Sequence, residues 1–101
     1  MPAFCYILQC ADGSYYVGST KDDSIDRRLG EHQAGVHDGY TAARRPVTLV
    51  WAQQFDRIDD AFFLERQLKG WSRRKKEALI RGEWDLLPLL SRRRGGRPRG
   101  G

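Results

Sequence analysis

The stretch from Tyr6 to Gly18 constrains the fold more than any other part of the chain. It reads Tyr6-Ile7-Leu8-Gln9-Cys10-Ala11-Asp12-Gly13-Ser14-Tyr15-Tyr16-Val17-Gly18. Two apolar, aromatic-rich runs flank Asp12-Gly13, a dipeptide that signals a short hairpin because a type I′ turn needs positive φ at both central residues. The pattern predicts strands over Phe4 to Cys10 and Tyr15 to Ser19. Folding at Asp12-Gly13 carries Tyr6 and Tyr16 to nearly opposite places in the ladder, on one face. Two phenols so placed ordinarily do no more than pack across strands.

The remaining elements follow from caps, breakers and periodicity. Ser24 is a suitable N-cap for a helix over Ile25 to Ala34, with Ile25 and Leu29 as its apolar stripe and Gly35 as its stop. Val36 to Pro46 is a loop. The run from Val47 to Phe55 is β-branched, aromatic and largely apolar, which predicts a third strand. Asp59 or Asp60 is expected to cap a helix that carries Ala61, Phe62, Phe63, Leu64 and Leu68 and ends near Lys69. Ser72 caps another over Arg73 to Arg81, with Ala78, Leu79 and Ile80 inward and Gly82 closing it. A short helical turn is expected around Pro88. The order strand, strand, helix, strand, helix, helix gives an α+β fold: a small three-stranded, mostly antiparallel sheet flanked by helices.

At 101 residues the chain is long enough for one domain with a thin core. Residues 1–91 are expected to form it. Residues 92–101 hold only Ser-free Arg, Gly and Pro, and with no apolar side chain to bury they should be a disordered tail. That tail also decides how the net charge of +5 is interpreted. Its arginines are Arg92, Arg93, Arg94, Arg97 and Arg99; without them the chain is electrically balanced. Affinity of the folded part for a polyanion must therefore come from where its charges sit. There is no apolar run of membrane-spanning length and no secretory leader pattern, so no membrane partner and a cytoplasmic location are expected. Cys5 and Cys10 lie an odd number apart on one strand, facing opposite ways. They are expected to be reduced and half-buried, and they suggest no cofactor.

Several charged residues sit where folding alone does not ask for them. Arg28 and His32 share a face of the first predicted helix, and a cation so near a helix start opposes the macrodipole. Ala61, Glu65 and Leu68 share a face of the next, so Glu65 borders an apolar stripe. A carboxylate there is either paired, to Arg66 or an arginine across the core, or chemically active. Arg73, Arg74, Lys75 and Lys76 follow Ser72 at a helix N-terminus, whose free N–H groups already favour anions. In the loop, His37, Tyr40, Arg44 and Arg45 offer a nucleic-acid strand an aromatic surface and cations for its phosphates.

Taken together, Cys5-Tyr6-Ile7, Tyr16-Val17-Gly18, Arg28-Leu29 with His32 four on, and Glu65 on a later helix resemble the GIY-YIG nuclease superfamily. The runs Ile7 to Ser14, Arg44 to Val47, Leu68 to Arg73 and Lys75 to Ile80 are similar to its small stand-alone bacterial group, itself similar to the nuclease domain of Slx-type endonucleases. The resemblance spans Ala3 to Arg81. Cys5 stands where the first motif has glycine, and Val17 replaces isoleucine. The segment between Gly18 and Arg28 is about two residues longer than usual, which leaves Arg27 as the alternative catalytic arginine; the apolar Leu29 and the position of His32 favour Arg28.

The resemblance implies a divalent-metal-dependent endonuclease acting on phosphodiester bonds, with DNA favoured over RNA and branched or single-stranded repair intermediates as candidate substrates. Mg²⁺ or Mn²⁺ is the implied cofactor. Mg²⁺ commonly takes one or two protein carboxylates plus water and phosphate oxygens, so Glu65 alone suffices. Arg28 would hold the phosphate with its planar fork. Tyr16 is favoured as general base and Tyr6 as positioning group, with His32 hydrogen-bonding a tyrosine or relaying its proton. Nucleic-acid contacts are expected from Lys21, Arg27, Tyr40, Arg44, Arg45, Lys69, Arg73, Arg74, Lys75 and Lys76. Slx-type enzymes depend on a scaffold protein, which makes such a scaffold a candidate partner here; the sequence does not give the oligomeric state. The alternative is a non-catalytic DNA- or RNA-binding module using the same basic surface and the tail.

Overall fold

The structure is a computed structural model that describes residues 2–36 and 39–83. Its elements run β1 (Ala3–Gln9), β2 (Tyr15–Lys21), α1 (Ile25–Gln33), a 3-10 turn (Ala42–Arg44), β3 (Thr48–Phe55), α2 (Ile58–Lys69) and α3 (Arg73–Arg81). The three strands form one sheet in the order β2-β1-β3, and both pairings are antiparallel. This is the α+β arrangement that the pattern predicts. The chain divides into two compact units between Lys69 and Gly70, so α3 belongs to the second. The expected turn around Pro88 and the tail over 92–101 lie outside the described residues, as does His37.

The hairpin differs from its expected turn. The Gly13 N–H donates to the Cys10 carbonyl and the Cys10 N–H to the Ser14 carbonyl. Gly13 has φ +87°, and among the described residues no non-glycine residue has positive φ. Asp12 thus stays in the ordinary region, and the connection is a three-residue loop in which a type I turn ends on a left-handed glycine. Asp12 has its own reason: its Oδ1 accepts from the Ser14 N–H and hydroxyl, which favours φ below zero. The added residue resets the register. Tyr6 pairs with Gly18 and Leu8 with Tyr16, so the two phenols are diagonal neighbours on one face rather than opposite each other.

β1 is the centre of the fold. Ala3, Cys5, Tyr6, Ile7 and Leu8 are all buried, which a central strand covered on both faces requires. One face carries Tyr6, Leu8 and Cys10 against Val47, with Tyr16, Ile25, Leu29 and Leu49 packed around them; α1 is its cover. Against the strands β2 and β1 packs α2, through Ala61 and Leu68. Cys5 and Cys10 are free thiols, as expected, but fully buried rather than half-buried. Burial pushes the Cys5 thiol up to about 12, with the Glu65 charge adding to it.

Caps hold the helices where the sequence places them, with one exception. The Ser24 hydroxyl accepts from the Asp26 N–H. The Ser72 hydroxyl accepts from the Lys75 N–H, and Gly82 closes α3 at φ +75°. α2 starts at Ile58 on the Arg57 carbonyl, so Asp59 and Asp60 fall inside its first turn instead of capping it. They still oppose the positive end of the helix dipole from there. The end of α1 is tied to the start of β3 by Gln33, whose side-chain amide donates to the Val47 carbonyl and accepts from the Val47 N–H. One glutamine thereby supplies the ladder bonds that a strand neighbour would.

Candidate active site

The site is organised around the edge strand β2. Gly18 sits directly across from Tyr6, and a Cβ there would lie 2.5 Å from the Tyr6 hydroxyl and 2.6 Å from its Cζ. The phenol ring therefore lies on bare backbone. Its hydroxyl shares a hydrogen bond of 3.1 Å with His32 Nε2, and His32 Nδ1 shares one of 2.8 Å with the Thr41 hydroxyl. All three side chains are buried. The Tyr16 ring lies 5.2 Å from that of His32 and stays half-buried. Tyr40 stacks on Tyr16 at 6.3 Å, and the Arg44 guanidinium stands 3.9 Å above the Tyr40 ring.

Arg28 reaches the same side of β2. Its Nε and Nη2 both donate to the Thr20 hydroxyl, at 3.1 and 2.7 Å. Glu31, one turn on, offsets its charge at 3.7 Å, which answers the conflict with the helix dipole. Arg27 instead points outward and pairs with Asp22 at 3.4 Å. Between the two arginines, Arg28 is the one turned toward the phenols.

Glu65 approaches from α2. Strand alternation turns Ser19 away from the face that carries Gly18 and Thr20, and the Ser19 hydroxyl donates to Glu65 Oε1. Glu65 Oε2 holds the Lys69 ammonium at 2.7 Å. The buried carboxylate is thus paired to neither Arg66 nor an arginine across the core; its partner is four residues along its own helix, where a glutamate N-terminal to a lysine is well placed. Glu65 is only 8% exposed, whereas the Lys69 side chain is 55% exposed. The hydrogen bond to Glu65 raises the Lys69 pKa against the opposing effect of partial burial, and Tyr16 adds to it.

Charges reach across the strand edge. Burial pushes the Tyr6 phenol well above its ordinary range, followed by Tyr16; Arg28 opposes this and Glu65 adds to it. Tyr6 thus feels Tyr16, Arg28 and Glu65, and Lys69 feels Glu65 and Tyr16; the phenols and guanidinium lie on the α1 side of β2 and the carboxylate on the α2 side.

The expected nucleic-acid contacts divide into several kinds. Lys21 is exposed at the end of β2. Arg44 is held by Asp12 and by the Tyr40 carbonyl, both at 3.1 Å. Arg45 brackets the loop, donating to the Ala42 and Gln33 carbonyls with its guanidinium against Gly35. In the second unit, Arg73 pairs with Glu77 at 3.0 Å, Lys75 stands 4.0 Å above the Trp71 ring and Arg74 is exposed. Burial, with Arg73 beside it, lowers the Lys76 pKa.

Sequence reasoning missed Ser19, Thr20 and Thr41. Small hydroxyl residues in strands and loops are too common to stand out, and each matters only through a partner distant in sequence.

Among the described residues no three His, Cys, Asp or Glu side chains come together as a metal cage. A single buried carboxylate suits a hard divalent ion that keeps most of its water, provided the ion takes Oε2 from the largely exposed Lys69 ammonium. The residues fit Mg²⁺ or Mn²⁺ on that basis.

Known proteins resemble this chain in sequence and in fold. The family model of the GIY-YIG catalytic domain matches residues 2–78. A UPF0213 protein of Halobacterium salinarum is 45% identical over 75 residues, 74% of this chain and 95% of the relative. The solution NMR structure of a UPF0213 protein from Bacillus halodurans matches with TM-score 0.51 and 42% identity, covering 79% of this chain and 83% of that one. A second NMR structure, a protein from E. faecalis, matches with TM-score 0.55 and 34% identity, covering 81% and 85%.

Proposed function

The chain belongs to the GIY-YIG family, a nuclease superfamily, and on that premise we propose that it is a divalent-metal-dependent endonuclease that hydrolyses phosphodiester bonds in DNA. The observation that supports the proposal is the order of contacts along one stretch of β2: the Tyr6 ring on Gly18, the Glu65 carboxylate on Ser19 and the Arg28 guanidinium on Thr20, with Tyr16 two residues before Gly18.

Hydrolysis needs an aligned water, charge neutralisation at phosphorus and a stabilised leaving oxygen. Glu65 would hold the metal ion. When bound, the ion would neutralise phosphate charge and ease deprotonation of water. Arg28 binds the scissile phosphate; its side chain is already aimed by the Thr20 hydroxyl, so little ordering remains. Tyr16 takes the proton of the attacking water. Tyr6 is the poorer base because it is sealed under α1, bonded to His32 and shifted upward by burial; its role is to hold the ring surface beside Tyr16. In the first unit Lys21, Arg27, Arg44 and Lys69 supply cations for a strand and Tyr40 a ring for a base to stack on; in the second unit Arg73, Arg74, Lys75 and Lys76 form a separate basic run suited to phosphates.

The test is a nicking assay on flap, branched and single-stranded DNA with Mg²⁺, Mn²⁺ or chelator. Metal-dependent cleavage that Glu65→Ala abolishes is the expected result; identical behaviour of the two proteins refutes the proposal. One observation favours a second reading. The Glu65–Lys69 ion pair occupies the carboxylate oxygen that a metal would need. A non-catalytic binding module would keep that pair closed and bind DNA or RNA in a salt-sensitive way without cutting it.

A further inference from the structure

We propose that Thr41 is a positioning residue of this site: it holds His32 as the Nδ1–H tautomer, so that bare Nε2 accepts from the Tyr6 hydroxyl. The inference rests on the nuclease reading for its catalytic consequence, but not for its structural content.

Thr41 is the N-cap residue of the 3-10 turn at Ala42–Arg44, yet its side chain makes no capping hydrogen bond. Threonine hydroxyls at that position ordinarily accept from the turn's own N–H groups. Here the hydroxyl lies 2.8 Å from His32 Nδ1 instead, in a residue only 1% exposed. Burial makes the diversion consequential, because a ring nitrogen without a partner would be costly there. The neutral imidazole carries one N–H, and which nitrogen has it is set by the bond the other makes. Tyr6 keeps its proton because burial holds the phenol upward. A phenol O–H is the stronger donor and the weaker acceptor of the two hydroxyls, so Tyr6 donates to Nε2 across 3.1 Å and Nδ1–H donates to the Thr41 hydroxyl across 2.8 Å.

The loop is fastened so that Thr41 stays in place. The Arg44 N–H donates to the Thr41 carbonyl, and the Arg44 carbonyl accepts from the Ala11 N–H in the hairpin turn. The Arg44 side chain adds an ion pair to Asp12 in the same turn. A chain of contacts thus runs from the β1–β2 turn through Thr41 and His32 to the Tyr6 hydroxyl above Gly18.

The experiment uses ¹⁵N-detected NMR of the imidazole in the full chain, beside steady-state cleavage. Wild-type protein is expected to show Nδ1 protonated and Nε2 bare. Thr41→Val should shift the ring toward the Nε2–H form, and Thr41→Ser should restore the wild-type spectrum. In cleavage, Thr41→Val should lower kcat by roughly tenfold or more with KM little changed, again with rescue by serine. An Nε2–H ring in the wild type, or a tautomer unchanged in folded Thr41→Val, overturns the proposal. The wild-type spectrum decides even if the valine variant does not fold. Absence of cleavage with the expected spectra refutes the nuclease reading alone.

Discussion

Replacing Gly18 with alanine tests whether the Tyr6 ring really lies on bare backbone. The new Cβ would sit 2.5 Å from the Tyr6 oxygen and 2.6 Å from Cζ. Ordinary contact requires about 3.5 Å, so ring or strand must move by roughly 1 Å. Tyr6 is 2% exposed and cannot swing into solvent. Overpacking of this kind costs about 1–3 kcal/mol. Moving the ring also disturbs its 3.1 Å hydrogen bond to His32, adding about 1 kcal/mol. The loss of unfolded-chain entropy returns about 0.4–1 kcal/mol. A net destabilisation of about 1–3 kcal/mol corresponds to a fall in Tm of roughly 5–20 °C for a domain of this size. Gly30→Ala is the control, because a Cβ there meets nothing within 4 Å and the position is inside α1. It should stabilise by about 0.5–1 kcal/mol. The assay is thermal unfolding followed by circular dichroism, with the His32 ring resonances as a local report. Equal Tm for Gly18→Ala and wild type, with those resonances unmoved, would refute the packing account. Tyr6→Phe should not rescue Gly18→Ala, since Cζ itself is in the way.

The remaining expectations are shorter. Stability should decline as pH rises from about 9 toward about 12, because Cys5 is raised to about 12 and Tyr6 is raised as well. The sign follows from the unfolded state, which loses those protons first and is favoured by doing so; denaturant midpoints measured across that range should fall, and a flat profile would contradict the burial of both groups. Tyr16→Phe should reduce kcat at least about 100-fold with little change in Tm. Tyr6→Phe should do the reverse in emphasis, costing about 1–3 kcal/mol by leaving His32 Nε2 without its partner; a larger kcat loss for Tyr6→Phe than for Tyr16→Phe would reverse the assigned roles. Gln33→Ala should cost about 1–2 kcal/mol in chemical denaturation through the two lost bonds to Val47, and no measurable change would show that water replaces them.

Much of the fold is carried by local chemistry, which is why it is legible in the sequence. Ser24 and Ser72 cap where hydroxyls next to periodic runs predict, and Gly82 ends α3 because only glycine adopts φ +75° cheaply. The i, i+4, i+7 spacing buries Ala61, Glu65 and Leu68 together. The candidate site residues stand out by their resemblance to the GIY-YIG superfamily, whereas the order of elements follows from these patterns. Everything that depends on a distance between remote residues does not. The register of the hairpin was set by one extra loop residue at the turn, which local propensity underdetermines. Lys69 rather than an arginine faces Glu65, Ser19 and Thr20 orient the carboxylate and the guanidinium, and Thr41 faces His32. Those pairings arise only after the core has closed, because tertiary packing alone fixes which polar groups are left near one another without water.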